Sequence, residues 1–280
     1  MFGKNRKVKP DFQSSAEDEK PIITIRYQPD SKDIVIKKLS LMRPPEDKDG
    51  EQADESDRMP ANEADLTLVN EFDLTVRKGD RIVLTGSRGC GKSTLLRAIE
   101  GLWDRGHGEI ALPFSVADRK ERILCVPQRP YIPPVPYRGI LSYPYEAGKY
   151  TDEEMADALR NVGLERMIPR LQDEAHDGTY WTPRLSPGEQ QALCFARIFL
   201  RKPDILMLDE ATSSLDEASA VGLYRKLLEK LPDVTLISIV HHKEIIPFHT
   251  LHASIDNKNL TVRTIASEAA PAPPAPDAPH

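Results

Sequence analysis

Long hydrophobic runs are missing from this 280-residue sequence. The longest nearly apolar stretch, Val234 to Val240, is about seven residues, against the ~18 or more that a membrane-spanning helix needs. No bilayer crossing is therefore expected. Cysteine is scarce: Cys90, Cys125 and Cys194 are odd in number and far apart, which suits neither a disulfide framework nor a zinc site and predicts a reducing compartment. Seven scattered histidines show no metal-ligand spacing. A field of one charge is also lacking. The net charge is -6, but Glu46 to Asp65 alone carries nine acids against Lys48 and Arg58, so the remainder sums to +1. That balance gives nucleic-acid binding no support and confines the acidity to one polar insert. The N-terminus MFGKNRKVKP is basic with no apolar segment behind it, so a secretory leader is not expected.

What is present, 39% hydrophobic and 29% charged residues, is ordinary globular usage. Residues 1–20 read as a polar tail. Pro21 to Tyr27, Asp33 to Leu41 and Leu66 to Val76 read as strands by β-branched content and alternation. Pro44 to Asp65, rich in Asp, Glu and Pro, has too little apolar surface to offset its ordering entropy and reads as a loop insert. Arg77 to Asp80 is a turn into the apolar strand Arg81 to Gly86, followed by a helix over Ser93 to Leu102. Ile123 to Gln128, Ile205 to Asp209 and Val234 to Val240 are further buried strands. Thr151 to Gly163 reads as a helix with a Thr151/Glu154 capping box. Continuous apolar strands separated by helices predict an α/β fold around a parallel sheet covered on both faces. One domain is expected over 21–265, with a helical insertion at about 129–202. Residues 266–280 form an Ala/Pro-rich tail, five of each among Ser267 to His280.

Gly86 to Thr94 reads GSRGCGKST, the pattern G-x-x-x-x-G-K-[ST] between a strand and a helix. Backbone N–H groups of Gly86, Ser87, Gly89, Cys90, Gly91 and Thr94 are placed to converge on phosphate oxygens at a helix N-terminus. Lys92 would reach the β and γ phosphates and Ser93 would ligate Mg²⁺. Ile205 to Glu210, ILMLDE, ends a buried strand in two carboxylates: Asp209 is placed to hold hydrated Mg²⁺ and Glu210 to orient or deprotonate a water. Leu185 to Gln191, LSPGEQQ, opens a mostly apolar helix with Ser186 as N-cap, Pro187 at N1 and Glu189 at N3. Capping alone would choose these residues, yet the Ser186 hydroxyl and the Gly188 N–H also make an anion site.

Together with PQRPY (Pro127 to Tyr131), ILMLDEATSSLD (Ile205 to Asp216) and SIVHH (Ser238 to His242), these motifs resemble, in order and separation, the ATPase domain of ABC transporters over roughly Ile22 to Ile265. That resemblance implies a P-loop NTPase with a parallel core, an N-terminal antiparallel β region and an inserted helical subdomain carrying the signature helix. GLWDRGHGEI, PQRPYIPPVPYRGILSYP and Trp181, five residues before Ser186, are similar to the branch of bacterial cobalamin and peptide half-transporters and peroxisomal fatty-acyl-CoA half-transporters. The resemblance also implies roles. Gln128 would touch Mg²⁺ and the attacking water while sensing the transmembrane partner, Asp209 would hold Mg²⁺, Glu210 would be the general base, and His241, rather than His242, would contact the γ-phosphate because Phe248 and His249 follow it at family spacing. Ser186, Gly188 and Glu189 serve the ATP of a second subunit, and Asp216 lies at the dimer seam.

The expected function is thus a Mg²⁺-dependent ATPase that pairs with a second subunit, a homodimer being favoured since both sites look complete. It would work under a membrane-spanning permease on a separate chain, peripheral on the cytoplasmic side, with no nucleic acid. A non-transport ATPase acting on a macromolecular assembly is the alternative, and a low-turnover regulatory module is disfavoured by intact Lys92, Asp209, Glu210 and His241. A GTPase would want N-K-x-D, where Asn257 to Leu260 reads NKNL. Departures from the pattern are Pro187 for a common Gly, Ala192 for a common Arg, and no aromatic near Arg43 and Pro44 to stack on adenine. The acidic insert beside that place is expected to shield or gate the nucleotide. Cys90 reads first as a small residue that fits its loop, with redox regulation the lesser reading. Tyr131 and Trp181 read as packing aromatics rather than ligand platforms, with Tyr131 near the transmembrane contact as a further reading, and Lys4 to Lys9 as a solvated basic segment, anionic-lipid contact being the lesser reading.

Overall fold

The computed structural model describes residues 22–44 and 66–265. The tails and the acidic insert from residue 45 to 65, with the roles expected of them, lie outside the described residues.

The strands are β1 (Thr24–Tyr27), β2 (Ile34–Met42), β3 (Thr67–Val76), β4 (Arg81–Gly86), β5 (Gly106–Leu112), β6 (Ile123–Val126), β7 (Ile205–Asp209), β8 (Thr235–Ile239), β9 (Leu251–Asp256) and β10 (Asn259–Thr264). The helices are α1 (Lys92–Ile99), α2 (Arg119–Arg122), α3 (Tyr137–Ser142), α4 (Asp152–Asn161), α5 (Gly178–Trp181), α6 (Pro187–Arg201) and α7 (Glu217–Lys230). A six-stranded sheet runs β10-β9-β4-β8-β7-β6, parallel except for the β9–β10 edge pair. A second sheet, β1-β5-β2-β3, is antiparallel except that β1 joins β5 in parallel.

Side-chain alternation along β7 explains how the layers assemble. Leu206 and Leu208 enter one core with α3, α4, α6 and α7, whereas Ile205 and Met207 enter the other, between the two sheets and around α1. Leu206, Met207 and Leu208 are fully buried, and each contributes about 1.5–3 kcal/mol relative to exposure. A strand buried on both faces is mostly apolar, and that is why β4, β7 and β8 stand out in the sequence, with Thr235 and Ser238 the buried polar exceptions in β8.

Helix α1 ends at Ile99, short of the expected Leu102, because Gly101 turns left-handed at φ +71°. The α4 capping box is complete: Thr151 N donates to Glu154 Oε2 at 2.8 Å and Glu154 N to Thr151 Oγ1 at 3.2 Å. Trp181 packs edge-on against Tyr137 at 5.4 Å between ring centres, as a core aromatic should. Tyr131 departs from its packing expectation. It is 54% exposed and leans on Tyr143, because the proline-rich segment around it runs over the surface rather than into a core.

Candidate functional site

Strand β4 delivers the chain to Gly86 at the carboxyl edge of the parallel sheet, where ligand crevices form in such folds. A Cβ on Gly86 would lie 2.6 Å from the Ile255 carbonyl oxygen, so the turn off β4 requires glycine. Gly91, at φ +107°, is the N-cap of α1 and offers no side chain to the helix's free N–H groups. Those donors stay open toward the cleft, where the helix dipole favours an anion. Lys92 folds back over its own loop, donating from Nζ to the carbonyls of Gly86 at 2.9 Å and Ser87 at 2.8 Å. Cys90 Sγ lies 3.9 Å from that amine.

The ends of β7 and β8 complete the cleft. Ser93 Oγ donates to Asp209 Oδ1 at 3.0 Å. Burial pushes the Asp209 carboxyl above its ordinary range; the Ser93 hydrogen bond opposes this and the neighbouring Glu210 charge adds to it. Glu210 is held left-handed at φ +51°, an uncommon conformation for a residue with a Cβ. Two backbone bonds fix it: Glu210 N donates to Ile239 O and Ser213 N to Glu210 O, each at 3.0 Å. Its carboxylate Oε2 thereby accepts from Gln128 Nε2 and lies 2.8 Å from His241 Nε2. The loop, Gln128, Glu210 and His241 line one cleft of about 600 Å³. Thr85 and Arg88 line it too, although sequence reasoning assigns neither a role. The only signal for Arg88 is its place at a variable position inside the motif. His242 is not on this cleft.

Ser186, Gly188, Glu189 and Asp216 are not brought to this cleft. They line a separate one of about 710 Å³, formed by the α6 N-terminus and the loop before α7. Ser186 Oγ accepts from Glu189 N at 3.2 Å, and the Ser186 hydroxyl also bonds to the Glu189 carboxylate. Glu189 is committed within the chain, to Ser186 N at 2.8 Å and to Arg166. Partial burial opposes ionisation of Glu189, but these bonds outweigh it and hold the carboxyl below its ordinary value. Asp216 caps α7 through Ser219 Oγ and N, bonds that hold its carboxyl low. Arg43 N pairs with Leu66 O at 2.8 Å, joining β2 to β3 beside the place that lacks an aromatic. Gln191, a buried residue to which sequence reasoning gives no role, bonds to both the Gln128 and the Ser213–Ser214 segments. Its signal is a polar side chain inside an apolar helix.

Among the described residues no helix is long and apolar enough to cross a membrane, and no cluster of His, Cys, Asp and Glu has the makings of a metal site by itself. The family model described as "ABC transporter" matches residues 69–213. An uncharacterised ABC transporter ATP-binding protein of Haemophilus influenzae is 35% identical over 181 residues, 65% of this chain and 29% of that protein. ABC transporter D family member 1 of Arabidopsis thaliana is 35% identical over 187 residues, 65% of this chain and 14% of that protein. A human lysosomal cobalamin transporter is 33% identical over 183 residues, 63% of this chain and 29% of that protein. The chain thus spans less than a third of the length of these relatives. Phosphate loop, strand-end carboxylates and family model all coincide on the same residues, and the chain belongs to the ABC transporter family as one of its ATP-binding domains.

Proposed function

We propose that this chain is a Mg²⁺-dependent ATPase that closes with a second copy around two ATP molecules and drives a membrane-spanning permease from its cytoplasmic side. The observation that carries the reading is the convergence of Gln128 and His241 on the Glu210 carboxylate, across the cleft from the phosphate loop.

The triphosphate settles on the N–H groups of residues 86–94, and Lys92 exchanges its two carbonyl partners for β and γ oxygens. Ser93 Oγ and Asp209 Oδ1, 3.0 Å apart, are hard oxygen donors of the kind Mg²⁺ takes. The Gln128 amide oxygen would be a third such donor, its Nε2 being committed to Glu210. Bound there, Mg²⁺ would neutralise charge on the phosphates. Glu210, aimed by its fixed backbone, accepts the proton of the attacking water, and His241 Nε2 gives up its Glu210 contact to reach the γ-phosphate. On the other cleft, the Ser186 O–H and Gly188 N–H serve the partner's ATP head to tail, with Asp216 at the seam.

Three residues past Gln128, the exposed Tyr131 borders a groove of about 500 Å³ between β6 and α6, opposite Tyr143. Arg197, buried beneath it, donates to the carbonyls of Tyr131 at 2.9 Å and Ile140 at 2.8 Å. A permease segment seated here would reach Gln128 through a short, hydrogen-bonded stretch of chain.

Tagged Glu210→Gln protein, incubated with Mg-ATP and detergent-solubilised membranes, tests the reading. An ATP-holding dimer with a co-purifying multi-span protein is expected. A dimer with soluble partners alone turns the assignment to the non-transport alternative, and the absence of any ATP-dependent dimer overturns both.

A further inference from the structure

Gln191 sits in α6 within an unbroken buried run, residues 191–200, whose only other large polar member is Arg197. It is 1% exposed. A buried amide lowers stability unless it is hydrogen-bonded, and a Leu or Met of similar size would fill the space with no such demand. Packing therefore gives no reason for glutamine here, whereas its bonds do. Nε2 donates to the Gln128 carbonyl at 3.4 Å and to Ser213 Oγ at 3.2 Å, and Oε1 accepts from Ser214 N at 2.9 Å. One side chain thus ties the segment carrying Gln128 to the segment that follows Glu210. Gln128 and Glu210 already meet through their own side chains, so the pair is secured at one end by that contact and at the other by Gln191.

The same side chain lies five residues from Ser186, on the helix whose N-terminus faces the second cleft. Gly188 in that terminus lies directly on the loop that Gln191 holds: a Cβ there would stand 3.2 Å from both Ser214 O and Leu215 Cδ2. The α6 N-terminus, the 213–215 loop and the Gln128 segment accordingly form one hydrogen-bonded, closely packed unit joining the two clefts.

Building on the ATPase reading, we infer that Gln191 is a positioning residue that couples them. When Ser186 and Gly188 engage a partner's nucleotide, the unit is fixed and the Gln128–Glu210 pair of the same chain is set for hydrolysis. The link acts on turnover and on cooperation between sites, not on the affinity of the phosphate loop for ATP.

The test compares the full chain with Gln191→Met, which removes all three bonds, and Gln191→Glu, which keeps acceptance from Ser214 N and cannot donate to the Gln128 carbonyl. Turnover should fall roughly 10- to 100-fold in Gln191→Met, the size of loss that small misplacements cause. KM and directly measured ATP binding should stay within about twofold, the signature of an interaction needed in the transition state alone. The Hill coefficient should drop toward one, with Gln191→Glu intermediate on both counts. If Gln191→Met does not fold, a loss confined to kcat in Gln191→Glu supports the coupling in its place. A working wild type with unchanged turnover in both variants, or a KM rise matching the kcat loss, overturns the coupling alone. A wild-type chain without turnover overturns the ATPase reading along with it.

Discussion

The two clefts of this chain are built on opposite principles. Around the phosphate loop the polar groups satisfy one another: Lys92 is held by carbonyls of its own loop, Ser93 by Asp209, and Glu210 by Gln128 and His241. Elements far apart in the chain, β4, β7 and β8, are locked side by side in the sheet, so the geometry is preorganised before any ligand arrives. Around the α6 N-terminus the residues cap helices and pair locally, with Ser186 and Gly188 lining an open cleft. On the function proposed above, the first binds by itself and the second needs another surface to act on.

The largest way to break that contrast is Glu210→Gln. Removing the proposed base should lower turnover by about 10²–10⁴-fold while leaving ATP affinity in place, measured by steady-state hydrolysis beside nucleotide titration. Next, Gly188→Val puts branched carbons where even a Cβ touches Ser214 and Leu215 at 3.2 Å. ATP binding by the single chain should survive, and ATP-dependent dimerisation, followed by light scattering, should be lost. Equal loss of both would deny that the clefts are separable.

A third prediction concerns the support behind β8 rather than either cleft. His249 is buried beside Tyr224, and burial depresses its pKa to about 4, bonds to the Ile245 and Ile246 backbone opposing the shift. The unfolded chain takes up this proton near pH 6.5 and the folded chain does not. Stability is therefore full above about pH 6.5 and declines as pH falls toward 4, by roughly 3 kcal/mol from this group. Urea titrations across that window should show the decline, and His249→Leu should flatten it. The smallest effect is a control: Thr151→Ala, in the α4 capping box away from both clefts, should lower stability by about 1 kcal/mol and leave hydrolysis unchanged.

The parallel core is legible because β4, β7 and β8 are short, mostly apolar runs, as strands buried on both faces tend to be. Strands β5, β9 and β10 are not legible. GHGEIAL, LHASID and NLTVRT mix polar, small and apolar residues, and each becomes a strand through its partners: β5 lies between β1 and β2, and β9 joins β4 to β10. The phosphate loop is readable because a continuous segment builds it. Gln191 is not, because its three partners lie 22, 23 and 63 residues away and only packing brings them together.

Local chemistry written along the chain thus determined which residues can hold phosphate, ligate a hard cation, take a proton or cap a helix, since each of those demands a residue type at a short, fixed spacing. Tertiary structure decided which of them work together. It set Gln128 and His241 on the Glu210 carboxylate, kept Ser186 and Gly188 on a different cleft, and strung Gln191 between the two. Proximity between residues tens of positions apart follows from strand order and buried packing, which no local pattern encodes.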